Sequence, residues 1–338
     1  MTNMSESTSH DPIGRSRTEI SVEVTMATLV CLSAMFGNLL VVFVIKRDSK
    51  LHNVTNMFIH SLALTDIAMA TMYMPFWIAS LYTGTWNFSQ VCCQVAGSIL
   101  LILAYASMLT VGLIALNRYI QVVKPNLYKK LFPSKRAARL YCVLVWLVAI
   151  LLALPFLGGW VGITYYTRTS ICSVKSSVYI LLIVGVVITG IMITIFYCYF
   201  KIYKAVRESK DILKAHADGN RVRPSNDSRR SDITDVKVLK ACFTVACFYV
   251  VTWTPISIIA ITWSAGFDFG QQLSTASAFL MFSSSFVNPF IYGIMNPQFK
   301  LAFKMALKCG CYGRGNKNQS QTGNSVRHVV VTGLETAL

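Results

Sequence analysis

The sequence predicts an all-α membrane protein, a bundle of seven transmembrane helices followed by a short interfacial eighth helix. Three observations predict it. The chain is 54% hydrophobic and only 13% charged, with a mean hydropathy of +0.53, a balance foreign to soluble domains. Its apolar residues fall into long runs, each of the length a helix needs to cross a hydrocarbon core about 30 Å thick. Of its 31 Lys and Arg, all but Arg15, Arg17, Arg168 and Lys175 lie in alternate inter-helix segments, at adjoining helix ends or in the C-terminal tail. That asymmetry puts those segments in the cytosol and the N-terminus outside. It also accounts for the net charge of +17 without nucleic acid, since no soluble basic domain is left to bind it.

Residues 1–23 form a polar outer tail whose sequon, Asn3-Met4-Ser5, is a candidate glycosylation site. No signal-peptide pattern precedes the first apolar run, so the first helix is expected to target the chain. That helix covers Val24 to Ile45, carries the pair Gly37-Asn38 and is closed on the cytosolic side by Lys46, Arg47 and Lys50. The second, Val54 to Leu81, contains Asp66 and is kinked by Pro75. A short outer loop, Trp86-Asn87-Phe88, leads to the third. From Cys93 this helix has no charge until Arg118. At about 1.5 Å per residue it covers roughly 38 Å, so it tilts and reaches past both faces of the bilayer. Its scattered Ala, Gly and Ser let other helices approach on many sides, which makes it the central helix.

A basic cytosolic loop, Lys124 to Arg139, leads to the fourth helix, Leu140 to Phe156, with Trp146 inside it and a stop near Pro155. The outer loop Leu157 to Lys175 carries Cys172. The fifth helix begins near Ser176 and passes the membrane near Tyr199. Residues Lys204 to Thr234 are polar and charged, and predict a flexible cytosolic loop. The sixth helix runs from Asp235 to Ser264 with a kink at Pro255, and the seventh from Gln271 to Met295. Asn296-Pro297 then turns the chain into an amphipathic stretch, Gln298 to Leu307, suited to the membrane interface. The bundle with its interfacial helix thus occupies 24–308, and 309–338 form a cytosolic tail.

Asp66 is the only acid at hydrocarbon depth, and no Lys or Arg shares that depth with it. Two readings stand: a carboxyl kept neutral by hydrogen bonds, or a cation site. Asn38, Ser107, Ser284, Ser285 and Asn288 sit at matching depths and could supply oxygens, which favours an allosteric sodium ion. Arg118 either snorkels to the interface or pairs with Asp235 at the same face, holding two helix ends together as a switch requires. Trp253-Thr254-Pro255 and Asn288-Pro289-Phe290-Ile291-Tyr292 set aromatic side chains against helix breaks at matching depths. Cys93 and Cys172 both lie outside, where disulfides persist, and Cys92 competes for the same partner. Cys309 and Cys311 follow the interfacial helix, as palmitoylated cysteines do. Thr336 and Leu338 fit the hydroxyl and C-terminal aliphatic of a PDZ ligand. No metal-ligand cluster, phosphate loop or nucleophile–base pairing stands out, so no enzyme is expected. A transporter, the other class to weigh, would want related halves or paired intramembrane charges, and the sequence has neither.

In order along seven spans, these motifs resemble the rhodopsin-like (class A) G-protein-coupled receptors over residues 24–308. The matching residues are Gly37-Asn38, Leu62-Ala63-Leu64-Thr65-Asp66, Trp86, Cys93 with Cys172, Asn117-Arg118-Tyr119, Trp146, Trp253-Thr254-Pro255 and Asn288-Pro289-Phe290-Ile291-Tyr292. Within that family the chain is most similar to the melatonin-receptor-like group, through Asn117-Arg118-Tyr119, Leu127-Tyr128-Lys129-Lys130-Leu131 and Ile291-Tyr292-Gly293. The resemblance implies a multi-pass plasma-membrane receptor that binds a small extracellular ligand and activates a heterotrimeric G protein, of the inhibitory class. Arrestin and membrane lipids are its other expected partners. It assigns the switch to Asn117, Arg118, Tyr119, Tyr199, Asp235, Trp253, Pro255, Asn288, Pro289 and Tyr292. It places the ligand among Leu100, Leu101, Ala104, Tyr105, Ile183, Val187, Trp253, Ile256, Ser257, Ala278 and Phe282. That lining suits a neutral or lipophilic ligand. The alternative is a fatty acid or other lipid held at the rim by Arg168 or Lys175.

Several positions depart from the family pattern. Asn117 stands where an acid usually precedes Arg118, and Ile191 where the fifth helix usually has proline. These two keep a ligand-independent receptor in play. Phe282 occupies the position of the opsins' retinal lysine, so no retinal is expected. Leu100 replaces the amine-binding acid, and Phe156 the asparagine of melatonin receptors, which counts against melatonin itself.

Overall fold

A computed structural model describes residues 11–219 and 226–308, and only the backbone at 181, 183–185, 209–219, 226–236 and 308. Its spanning helices are α1 (Arg17–Arg47), α2 (Val54–Thr83), α3 (Gln90–Val123), α4 (Lys135–Leu157), α5 (177–219), α6 (Asn226–Ser264) and α7 (Gln271–Met295). All seven contain stretches long and apolar enough to cross a membrane. The interfacial α8 (Pro297–Lys308) follows. A short helix, Pro125–Leu131, joins α3 to α4. In its most apolar stretch α3 is 61% buried and α4 only 17%, so α3 is the axis of the bundle and α4 a lipid-facing flank. Small residues explain how they touch: Ala106 of α3 and Ala149 and Ala153 of α4 are fully buried around Tyr105.

Helix α1 starts seven residues before the apolar run. Ser16 caps it, accepting from the Glu19 N–H at 3.1 Å while the Glu19 carboxylate accepts from the Ser16 N–H at 2.7 Å. Next to this cap the tail folds back on the bundle. The Arg15 guanidinium donates to Asp11 at 3.0 Å, to Glu23 at 2.5 Å and to the Leu81 carbonyl at the end of α2 at 2.8 Å. Hydrogen bonds from Arg15 hold the Asp11 carboxyl below the usual carboxylate range.

Pro75 shapes α2 differently from a plain kink. It has no N–H to close the preceding turn and its ring crowds that turn. The misfit is taken up by a π-helical stretch, Met69–Tyr73. A second such stretch, Ile183–Ile188, interrupts α5. Pro155 lies inside α4, which runs on to Leu157. The cytosolic loop expected over 204–234 is shorter than the charge pattern predicts. Helix α5 continues to Gly219 because residues 204–217 are mostly Lys, Ala, Glu, Leu and Arg, good helix formers despite their charge. Helix α6 begins at Asn226, and 220–225 lie outside the described residues.

The outer loop after α4 folds as an antiparallel hairpin, β1 (Ile163–Tyr166) and β2 (Ile171–Val174), with Tyr165 opposite Cys172. It lies on α3 at Gly97, where a Cβ would come within 2.7 Å of Ile163 and 2.9 Å of the Cys172 carbonyl. Only glycine lets the strands settle there.

Candidate functional site

At the end of the bundle where α3 begins, the hairpin is fastened to several of the helices. A disulfide joins Cys93 of α3 to Cys172 of β2, with their Cα atoms 5.6 Å apart, and leaves Cys92 as a half-buried free thiol. Gln94 of α3 clamps the hairpin's start, donating to the Phe156 and Val161 carbonyls and accepting from the Ile163 N–H. Tyr73 of α2 accepts from the Cys172 N–H at 3.2 Å, and the Trp77 indole donates to the Thr169 carbonyl at 3.2 Å. Gln271 and Thr275 of α7 both donate to the Arg168 carbonyl, and Tyr166 stacks on Trp263 of α6. Arg168, expected as a rim cation for a carboxylate ligand, forms an ion pair with Asp268. Lys175 is exposed.

Beneath this lid the expected ligand residues fall into two groups. Tyr105, Leu101 and Val187 pack with Ala149 and Ala153 on the α4 and α5 side. Leu100, Ala104, Ala278, Trp253 and Phe282 belong to the main core, with Ile256 against it. Phe282 is fully buried and turns toward α2, its ring 4.2 Å from Trp77 and 5.8 Å from Tyr73. Phe279 adds an edge-on contact to Trp77 at 4.9 Å. Tyr73 and Trp77 carry no family motif, and the signal that could have placed them is their four-residue spacing across Pro75. Ser257 is half-buried, its hydroxyl bonded to the Trp253 carbonyl. The Ile183 side chain lies outside the described residues.

One turn deeper, Asp66, Ser107, Ser284 and Ser285 line a cavity that offers about 10 Å³ to a water-sized body. The Trp253 indole closes its upper side, donating to the Ser284 hydroxyl at 3.3 Å and stacking on Tyr249. Asn288 differs from expectation: it presents its NH₂ to Asp66, at 2.9 Å, so it orients the carboxylate rather than supplying an oxygen. Asn38 donates its NH₂ to the Ala34 and Ser285 carbonyls at 2.8 Å each, and its Oδ1 is buried without a partner among the described residues. Beside it a Cβ on Gly37 would stand 3.0 Å from Pro289, so Gly37-Asn38 is where α7 leans on α1.

At the opposite end of the bundle, Asn117 accepts from the Thr55 hydroxyl at 2.9 Å, and Arg118 donates to Gln121 at 3.1 Å. The Asn117 Nδ2, the Arg118 Nε and the hydroxyls of Tyr199 and Tyr292 are buried without a partner among the described residues. Tyr119 meets Tyr197 edge-on, and Tyr292 packs on Phe299 of α8. Pro255 and Pro289 lie inside their helices as expected. The side chain of Asp235 lies outside the described residues, as do Asn3, Cys309, Cys311, Thr336 and Leu338.

Comparison with known proteins gives a consistent answer. A family model described as "7 transmembrane receptor (rhodopsin family)" matches residues 37–292. Human melanopsin is 30% identical over 294 residues, 84% of this chain and 61% of that protein. The chain therefore spans about three-fifths of the length of that relative. Melatonin receptor type 1A-A of Danio rerio is 28% identical over 292 residues, covering 83% of this chain and 79% of that receptor. The crystal structure of squid rhodopsin superposes with a TM-score of 0.76 at 22% identity, over 87% of both chains, which shows the fold. With its central α3, its hairpin tied by Cys93–Cys172 and its seven spans, this chain belongs to the rhodopsin family of seven-transmembrane receptors.

Proposed function

We propose that the protein is a melatonin-receptor-like member of that family, its N-terminus extracellular, which binds a neutral or lipophilic ligand and activates a heterotrimeric G protein of the inhibitory class. As a family member it is a multi-pass membrane receptor and not an enzyme. The observation that carries the reading is the position of Trp253. Its indole lies in the same buried core as Phe282 and bonds Ser284 at the edge of the Asp66 cavity. A ligand that shifts Trp253 therefore disturbs the contacts of α6 with α7, and the differential affinity for the two arrangements drives the change. Outward movement of α6 opens the cytosolic mouth around Arg118 to the G protein.

The uncharged surroundings of Leu100, Ala104, Ile256 and Ala278 support a neutral ligand. The fatty-acid alternative is weakened by Asp268, which already neutralises Arg168. A retinal pigment is not proposed, because α7 contains no lysine and Phe282 is packed on Trp77. The test is a screen of neutral indoles, lipids and fatty acids on reconstituted receptor, reading nucleotide exchange on each G-protein class. Exchange stimulated only by carboxylates, and lost in Arg168→Ala, would overturn the neutral-ligand reading.

Two further results are expected. Sodium bound at Asp66, Ser107, Ser284 and Ser285 would lower agonist affinity, so Asp66→Asn is expected to abolish a sodium effect of about tenfold. Agonist competition curves with and without sodium check this, and an intact salt response would remove the cation site. Asp235→Ala is expected to raise ligand-free nucleotide exchange several-fold if Asp235 restrains Arg118 across the cleft. A silent variant in a basal exchange assay would show that it does not.

A further inference from the structure

The loop between α3 and α4 holds a concentration of positive charge that the receptor reading leaves unused. Lys124, Lys129, Lys130, Lys135, Arg136 and Arg139 are all exposed, and none has an acidic partner among the described residues. The chain has no Asp or Glu at all between Asp66 and Glu208. Like charges three and four apart on a helix repel, so an anion that bridges several of them is favoured.

The cations stand on a fixed seat. Phe132 is buried, with its ring 6.1 Å from Phe58 of α2, 5.3 Å from Tyr128 and 5.2 Å from Tyr141 of α4. The Tyr141 hydroxyl donates to the Leu131 carbonyl at 3.1 Å, tying the short helix Pro125–Leu131 to the first turns of α4. Ser134 caps α4, accepting from the Ala137 N–H. Charge held on pinned elements loses little freedom when it binds.

The seat faces lipid. Arg136, Leu140, Val143 and Leu147 follow one another at helical spacing along α4, and the three apolar members are 58%, 54% and 50% exposed. Arg139 lies three residues from Arg136 on the same side. The stripe belongs to the least buried of the seven spans, so its apolar part meets acyl chains and its arginines meet headgroups. Leu127 and Leu131, 38% and 37% exposed, add an apolar edge next to Lys130 on the short helix, as an interfacial helix would.

We propose that this seat is a binding site for a polyphosphorylated inositol lipid of the cytoplasmic leaflet. Arg136 and Arg139 make paired contacts to its phosphates, since guanidinium matches phosphate oxygens two at a time. Lys129, Lys130 and Lys135 supply the remaining charge. A singly charged headgroup would engage one cation and leave the rest in mutual repulsion, so the site discriminates by phosphate number.

The test uses the full-length receptor in detergent and a fluorescent short-chain phosphatidylinositol bisphosphate. Arg136→Gln/Arg139→Gln is expected to weaken binding by about tenfold or more, and the same charge change on α8, Lys300→Gln/Lys304→Gln, by less than about twofold. Phosphatidylserine of the same chain length is expected to compete poorly. Matching melting curves for both variants establish that they fold. Equal losses in the two variants would reduce the site to diffuse charge and overturn the proposal. So would competition by free inositol trisphosphate as strong as by the lipid, which makes the ligand a soluble anion. Unchanged lipid binding with lost G-protein coupling would assign the cluster to a protein partner instead.

Discussion

Cys93→Ser is expected to remove most of the receptor from the cell surface, while Cys92→Ser leaves surface level unchanged. The bridge from Cys93 to Cys172 closes a loop with a sequence separation of 79. On the chain-entropy account, closing a loop of that size stabilises the fold by about 4 kcal/mol, a large share of the stability of any domain. More than loop closure is lost with it. Without the bridge, β2 keeps no covalent tie to α3, and the contacts of the hairpin with Tyr73 and Trp77 lose their closest anchor. Cys172→Ser should match Cys93→Ser, and the double variant should be no worse than either, because one bond is being removed three ways. Surface and total receptor, measured by antibody on intact and permeabilised cells, check the set. A severe Cys92→Ser with a normal Cys93→Ser would mean that the other cysteine forms the bridge in cells.

Asn117→Asp is expected to lower ligand-free nucleotide exchange by about tenfold, within the range of coupling energies that separate receptor-like states. Asn117 uses its oxygen to accept from Thr55, and its Nδ2 is buried without a partner among the described residues. The neighbouring Arg118 is bound to Gln121 on its own helix, with its Nε also buried and unmatched. A carboxylate at 117 would still accept from Thr55 and could in addition accept from the guanidinium, so it would hold Arg118 back from the cytosolic mouth. Radiolabelled GTP-analogue binding to membranes without ligand reads the effect. Basal exchange as high as in the parent protein would show that position 117 does not set the resting state.

The seven spans were legible because each is a long apolar run, and Asp66 stood out because it interrupts one. Gly37-Asn38 was legible as a motif, but its work became clear only with α7 in place, where Pro289 lies against Gly37 and the Ser285 carbonyl meets Asn38. The hairpin is not legible because Ile163-Thr164-Tyr165-Tyr166 and Ile171-Cys172-Ser173-Val174 are too short to declare a period, although both are rich in strand formers. Asp11, Arg15 and Glu23 read as a polar tail, since nothing in local sequence says that the Leu81 carbonyl will accept from Arg15. Arg168 read as available for the same reason: its partner, Asp268, is a hundred residues away. What pattern alone misses here is polar side chains whose partners arrive from distant elements.

The widened turn at Met69–Tyr73 has an effect on everything beyond it. One additional residue in a turn advances the later part of a helix by about 100° of phase. Tyr73 and Trp77 therefore meet Phe282, Cys172 and Thr169, whereas an unbroken α-helix of the same composition would point that aromatic pair elsewhere. A one-residue insertion or deletion anywhere in this stretch would thus be felt as rotation at the roof of the bundle, with the half of α2 around Asp66 left undisturbed.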